Sequence, residues 1–222
     1  MPSPAEFLDI VKTGEPAKVA ELLAAEPALA GARDGQGRSA LFLAGMKGRA
    51  EIVEALLAAG AKPDLVDCCA MGDLERAKEL VEQNRAAAAA YLDNGFTPLH
   101  MAAYFGNAKI ARLLVRSGAD LESVTKNKMA ATPLQVAAMK GALEVIELLL
   151  ASGVDVESRK SANRTPPLLM AAQSGSAGAV GVLLDGGASI EAKDEAGKTA
   201  LALAREAGHE GVVALLQSRG AK

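Results

Sequence analysis

Apolar residues recur along this chain three and four positions apart, in short runs closed by glycine. Between residues 93 and 120, Ile110, Leu113 and Leu114 fall on one face of a helical period. A shorter helix precedes them, running to about Phe105. Thr97 is placed to cap it and Pro98 to occupy its first turn, where a missing N–H costs nothing. Gly106 permits the left-handed turn that ends it, and Gly118 closes the second helix. Asp93-Asn94-Gly95 reads as the tight turn of a short hairpin ahead of the pair. The same alternation appears at 63–93, with Leu65, Cys68 and Cys69 before Gly72, then Leu74, Ala77, Leu80 and Val81. The pattern predicts helix–turn–helix units and an all-α chain.

The units repeat. Thr97-Pro98-Leu99-His100-Met101-Ala102 is followed by Thr132-Pro133-Leu134-Gln135-Val136-Ala137, by Thr165-Pro166-Pro167-Leu168-Leu169-Met170-Ala171 and by Thr199-Ala200-Leu201-Ala202-Leu203-Ala204. The threonines are 35, 33 and 34 residues apart. Ser39-Ala40-Leu41-Phe42-Leu43-Ala44 is a weaker earlier copy. Each of these five copies closes on a glycine pair such as Gly118-Ala119, Gly153-Val154 or Gly187-Ala188. This string and its period resemble ankyrin repeats over nearly the whole chain. The resemblance implies a solenoid of about seven helix–turn–helix repeats with short β-hairpin loops, forming one domain over 1–222. The units fall at about 1–33, 34–62, 63–92, 93–124, 125–159, 160–193 and 194–222. A single unit cannot cover its apolar face, so stacking supplies the core.

The first half keeps a different step. Aligning 5–62 with 63–120 needs no gap and gives 16 identities in 58 positions, including Gly14/Gly72, Gly37/Gly95, Gly48/Gly106, Leu41/Leu99 and Ile52/Ile110. A two-unit module duplicated in this way opens each time with a shortened unit that lacks a clear hairpin and a Thr-Pro cap. A finger is therefore expected to be missing, or reduced to a tight link, around Lys62-Pro63-Asp64, with a weak junction near 62–64. Pro166-Pro167 adds one residue at a helix start and predicts a bulge there.

Composition narrows the function. Lysine and arginine number 24 against 27 acids, a net charge of −3 with both signs spread along the chain. That argues against a dedicated nucleic-acid binder. No apolar stretch reaches membrane-spanning length. The opening MPSPAEFLDIVKTGE lacks a basic region followed by an apolar run, so no secretory signal is expected. The two cysteines, Cys68 and Cys69, are adjacent and offer neither a disulfide framework nor zinc spacing, which fits a reducing cytoplasm. They fall where other units place a small Ala-Ala pair, so buried small residues are the favoured reading. Phosphate-loop and nucleophile-elbow motifs are absent. Only two histidines occur, and the resemblance implies a structural role for both His100 and His209. Glu144 and Glu147, like Glu51 and Glu54, suit a solvated helix face. The chain is read as a non-enzyme that needs no cofactor or metal.

The resemblance also implies where a partner docks: on hairpin tips and the exposed ends of first helices. The residues so placed here are Met46, Lys47, Met71, Asn94, Phe96, Tyr104, Phe105, Lys128, Met129, Met139 and Lys140, with Gln36, Arg38, Ala70, Arg164, Gln173, Ser174, Glu206 and Ala207 at equivalent positions. Four of the six aromatics, Tyr91, Phe96, Tyr104 and Phe105, lie between 91 and 105, and aromatics dominate interface hot spots. Phe96 and Phe105 could equally pack within the stack, and Tyr104 is the residue most expected to be exposed. The function expected is a monomeric, cytoplasmic protein-interaction module binding another protein, with no nucleic acid or membrane. A regulatory or chaperone-like subunit, or a small-ligand pocket near Met71 and Tyr104 at the irregular third unit, are the alternatives.

Overall fold

Short polar caps start most of the helices in this chain. In the computed structural model, which describes residues 2–92 and 94–222, the Thr97 hydroxyl accepts from the His100 amide and the Thr132 hydroxyl from the Gln135 amide, with Pro98 and Pro133 in the first turn. Asp64 caps the irregular third unit in the same way, accepting from the amides of Val66 and Asp67. The Thr-Pro pair expected to be lacking there is replaced by a stronger acceptor. Gly72, Gly106 and Gly141 then end their helices in the left-handed region, at φ of 78°, 71° and 68°.

The chain forms two compact units, one ending at Ala87 and one spanning Ala88–Lys222. The first holds α1 (Pro4–Thr13), α2 (Pro16–Ala25), α3 (Ala40–Met46), α4 (Ala50–Ala58), α5 (Leu65–Met71) and α6 (Leu74–Gln83). The second holds α7 (Pro98–Phe105), α8 (Ala108–Arg116), α9 (Pro133–Lys140), α10 (Leu143–Ala151), α11 (Pro167–Gln173), α12 (Ala177–Asp185), α13 (Ala200–Glu206) and α14 (Glu210–Ser218). In the second unit α7, α9, α11 and α13 pack side by side as one layer, and α8, α10, α12 and α14 as another. In the first unit α3 packs between α1 and α5, and α2 packs on α4. The layers meet on fully buried residues, Leu41, Ile52 and Leu56 in the first unit and Leu99, Ile110, Leu114, Leu134, Ile146 and Leu149 in the second.

The 58-residue step is visible in the backbone. Helices α2, α3 and α4 start at residues 16, 40 and 50, and α6, α7 and α8 start at 74, 98 and 108. Short 3-10 turns at Pro27–Gly31 and Arg85–Ala88 follow α2 and α6. Even the residues ending these two helices agree, Glu26 at φ −142°, ψ 84° and Asn84 at φ −146°, ψ 88°.

The link at 59–64 has no finger, and α5 begins at Leu65 directly after it. It lies inside the first unit, and α3 and α5 are tied across it. Arg33 pairs with Asp64 at 3.0 Å, and the Ser39 hydroxyl donates to Asp67. The division between compact units falls at Ala87–Ala88.

The hairpins are turns rather than strands. Among the described residues they form single antiparallel bridges, Arg33–Ser39 and Lys193–Thr199. Asp93, expected in the turn before α7, lies outside the described residues. The rest of that turn is closed by the Leu92 amide donating to the Phe96 carbonyl at 2.8 Å. Gly95 sits at φ 79°, and an added Cβ would come within 2.7 Å of the Lys126 backbone, so both conformation and space require glycine. At Pro166-Pro167 the extra residue moves the helix start by one, leaving α11 without a side-chain cap.

Candidate interaction surface

In the second unit the fingers are stitched to one another. The Lys126 amide donates to the Gly95 carbonyl at 2.7 Å and the Ala162 amide to the Met129 carbonyl at 3.1 Å, while the Arg159 guanidinium reaches the Lys193 carbonyl at 2.8 Å. Tyr91 donates its hydroxyl to the Val124 carbonyl at 2.9 Å. The inner helices add bonds from below. His100 is fully buried; its Nδ1 accepts from the Thr97 amide at 3.2 Å and its Nε2 lies 2.9 Å from the Ala131 carbonyl. Nε2 must carry the proton, because a carbonyl can only accept. Burial pushes the imidazole down to about 4, so the ring is neutral. Gln135 does the same work one unit on, donating to the Ser158 and Thr165 carbonyls. His209 reaches the Gln173 carbonyl at 3.0 Å. Both histidines are thus joined to the loops and helix ends of neighbouring repeats.

Asp67 stands at the corresponding helix position in α5. It is 1% exposed and accepts hydrogen bonds from the Asp64 amide, at 2.9 Å, and from the Ser39 hydroxyl. Burial first, and the neighbouring Asp64 charge second, push its carboxyl up to about 6. Sequence reasoning passed over this residue. The signal was the spacing Asp64–Asp67, a capping-box step with an acid at both ends.

Cys68 and Cys69 are both fully buried, and burial drives the Cys68 thiol up to about 12 and raises that of Cys69 as well. A thiol so protonated is a poor nucleophile. Among the described residues no three His, Cys, Asp or Glu side chains gather as metal ligands, and no helix is long and apolar enough to cross a membrane.

The residues assigned to binding by sequence separate into groups. Lys128, Met129 and Met139 line one groove of about 310 Å³ in the second unit, together with Asn163, Thr165 and Met170. One residue past Met139, the Lys140 ammonium stands 4.4 Å over the Tyr104 ring, and Tyr104 meets Phe105 edge to face at 5.1 Å. Tyr104 is half-buried rather than exposed; Tyr91, at 38%, is the exposed aromatic. Phe96 packs edge-on against the His100 ring at 6.0 Å, so its ring is engaged within its own unit. Asn94 folds back to accept from the Phe96 amide. Met71 lines a different hollow, of about 350 Å³, against Gly45, Arg49 and Val53 in the first unit. Met46 is half-buried and Lys47 exposed at the end of α3. Met170 was not foreseen, because its periodic counterparts Met101 and Val136 are buried.

Two backbone positions mark the groove. Ala130 and Arg164 hold φ of 45° and 49°, where the other fingers use Gly37, Gly95 and Gly197. Left-handed alanine and arginine cost about 1–2 kcal/mol each.

Comparison with known proteins bears on residues 36–160. Residues 65–160 match a family model described as three copies of the ankyrin repeat, and residues 36–68 match a single ankyrin repeat. No curated protein matches the chain.

Proposed function

The chain belongs to the ankyrin repeat family, whose repeats are in general protein-interaction modules, and from that premise we propose that it binds a partner protein through its finger tips and first-helix ends. The observation that carries this reading is the stitched row of fingers in the second unit. Each is held to the next by a hydrogen bond, two of them backbone to backbone and one from the Arg159 guanidinium, so the face is ordered before a partner arrives, and that spares a binding surface the entropy of ordering. The residues assigned to that face are Tyr104, Phe105, Lys128, Met129, Met139 and Lys140 of the second unit; Met46, Lys47 and Met71 hold the matching helix-end positions in the first unit and are not assigned to it. Asn94 and Phe96 support the finger from within. The face works by binding alone: the buried acid–base groups, His100 and Asp67, are occupied in holding loops and helix starts.

The test is capture of the native partner by the purified chain, measured for paired variants. Tyr104→Ala with Met139→Ser is expected to lower capture about tenfold or more, a loss of about 1.4 kcal/mol or greater. Glu144→Lys with Glu147→Lys, on exposed positions of α10, is expected to leave it unchanged. Equal losses from both pairs refute the assignment of the face.

A further inference from the structure

The groove between the fingers of residues 125–131 and 158–165 has a chemistry that the net charge of the chain hides. No aspartate or glutamate occurs from residue 123 to 143, nor from 158 to 184, while these segments carry Lys126, Lys128, Lys140, Arg159, Lys160 and Arg164. Two of the six cations are answered from outside the segments: Lys160 pairs with Glu122 at 3.0 Å and Arg164 approaches Glu195 at 3.8 Å. The other four have no carboxylate at ion-pair distance among the described residues. Lys126 and Lys140 rest on tyrosine rings, Arg159 on carbonyl oxygens, and Lys128 stands exposed on the groove wall.

The floor of the groove is apolar and adaptable. Met129, Met139 and Met170 come from three successive elements, a finger and two inner helices, and all three are half-buried. Thioether side chains repack around whatever apolar group enters. The walls hold still: the Ala162 amide is bonded to the Met129 carbonyl, and left-handed Ala130 and Arg164 set the bends of both fingers.

We propose that this groove takes an acidic segment of a partner protein, with one apolar side chain seated among Met129, Met139 and Met170 and flanking carboxylates meeting Lys128 and Lys140. The inference rests on the reading of this face as the binding surface, and it adds the chemical class of the ligand. Charge complementarity selects an anionic partner and speeds its approach. The lining selects protein over nucleic acid, because no aromatic side chain lines the groove to stack a base.

The probe is a fluorescein-labelled peptide of about twelve residues repeating Glu-Asp-Leu, titrated with the full chain and followed by fluorescence anisotropy at low salt. The controls repeat Glu-Asp-Ser and Lys-Lys-Leu, and a single-stranded oligouridylate is run beside them. The acidic leucine peptide is expected to bind at least tenfold more tightly than any control, and added salt is expected to weaken it. Lys128→Glu is expected to weaken it about tenfold, as is Met139→Ser with Met170→Ser, while Lys109→Glu, on an exposed position of α8, leaves it unchanged. Lys128 is exposed, so its variant folds even where the methionine pair does not. No binding of the acidic leucine peptide, equal binding of the serine or lysine peptide, tighter binding of the oligouridylate, or indifference to Lys128→Glu each overturns the proposal. If the probe fails while capture of the native partner still depends on Tyr104 and Met139, the ligand class falls and the interaction face stands. If capture ignores those residues as well, the face itself is wrong.

Discussion

The same helix position is filled by Asp67 in the first compact unit and by His100 in the second, and the two side chains point the chain's bonding in opposite directions. Both sit three residues past a helix cap and both accept the cap residue's own amide. Asp67 then reaches back to Ser39 in the preceding repeat, whereas His100 reaches forward to Ala131 in the following one. Gln135 repeats the forward reach to Ser158 and Thr165. A carboxylate can only accept, so it needs a donor such as a hydroxyl. An imidazole or amide accepts with one atom and donates with another, so it can hold a carbonyl of the next loop. The second unit accordingly has a row of fingers tied from below, and the first has one finger and a bare link at 59–64.

The largest effects expected are in the cores. Leu56 and Leu114 are both fully buried and 58 positions apart. Either change to alanine should cost about 2–5 kcal/mol. Hydrogen exchange should place the loss in the unit that carries the change. Equal loss of protection in both units for either variant breaks the division at Ala87–Ala88. The same experiment reads residues 55–75, where a weak junction was expected from sequence; protection there matching that of α3 counts against one.

Next comes the loop tie. His100→Ala leaves the Thr97 amide and the Ala131 carbonyl without their buried partner, at a cost of about 1–3 kcal/mol for each group left unsatisfied. His100→Gln should recover most of that loss, because Gln135 already does this work one repeat on. Urea melts of the two variants check this. Equal destabilisation would mean that the imidazole is held for its shape and not for its two nitrogens.

The pH responses should be opposed. His100 folds with its imidazole lowered from 6.5 to about 4, so the folded state refuses a proton that the unfolded chain accepts. The second unit should lose stability as pH falls from 6.5 through 4. Asp67 folds with its carboxyl raised from 3.8 to about 6, so the folded state binds a proton more readily. Its penalty is full above 6 and disappears as pH falls toward 3.8, which should stabilise the first unit over that window. Asp67→Asn should abolish the gain, and His100→Gln the loss, in unit-resolved exchange at pH 7 and pH 5. Parallel responses of the two units would contradict the assignment of these two groups.

The legibility of this molecule follows the range of its interactions. Thr97, Pro98 and Gly106 act within one turn of their own position, so the helices of the second unit could be placed from the string alone. The 58-residue register was readable because coincident glycines mark helix ends. The compact-unit boundary was not. Pro63 is a conspicuous local break, yet the bonds across it, Ser39 to Asp67 and Arg33 to Asp64, join residues about thirty positions apart and carry no local signal. The methionine groove was half legible. Met129 and Met139 fall at tip and helix-end positions, but Met170 takes a place that is core elsewhere. The strained bends at Ala130 and Arg164 were invisible, because neither residue type announces a positive φ.

Those bends yield the smallest effect. Ala130→Gly and Arg164→Gly should each stabilise the second unit by about 0.5–1 kcal/mol, the relief of left-handed strain less the entropy that glycine loses on folding. Gly95→Ala should do the reverse, and more strongly, because its Cβ also meets the Lys126 backbone. Thermal melts of the three variants give the order directly.

The binding face we propose is the row of tied fingers in the second unit. Its most direct measurement is capture of the native partner by the full chain carrying Lys128→Glu with Met139→Ser, set against the equivalent surface pair in the first unit, Lys47→Glu with Met46→Ser. A loss of about tenfold or more from the second-unit pair alone is the predicted result. A loss from the first-unit pair alone, or equal losses from both, would contradict it.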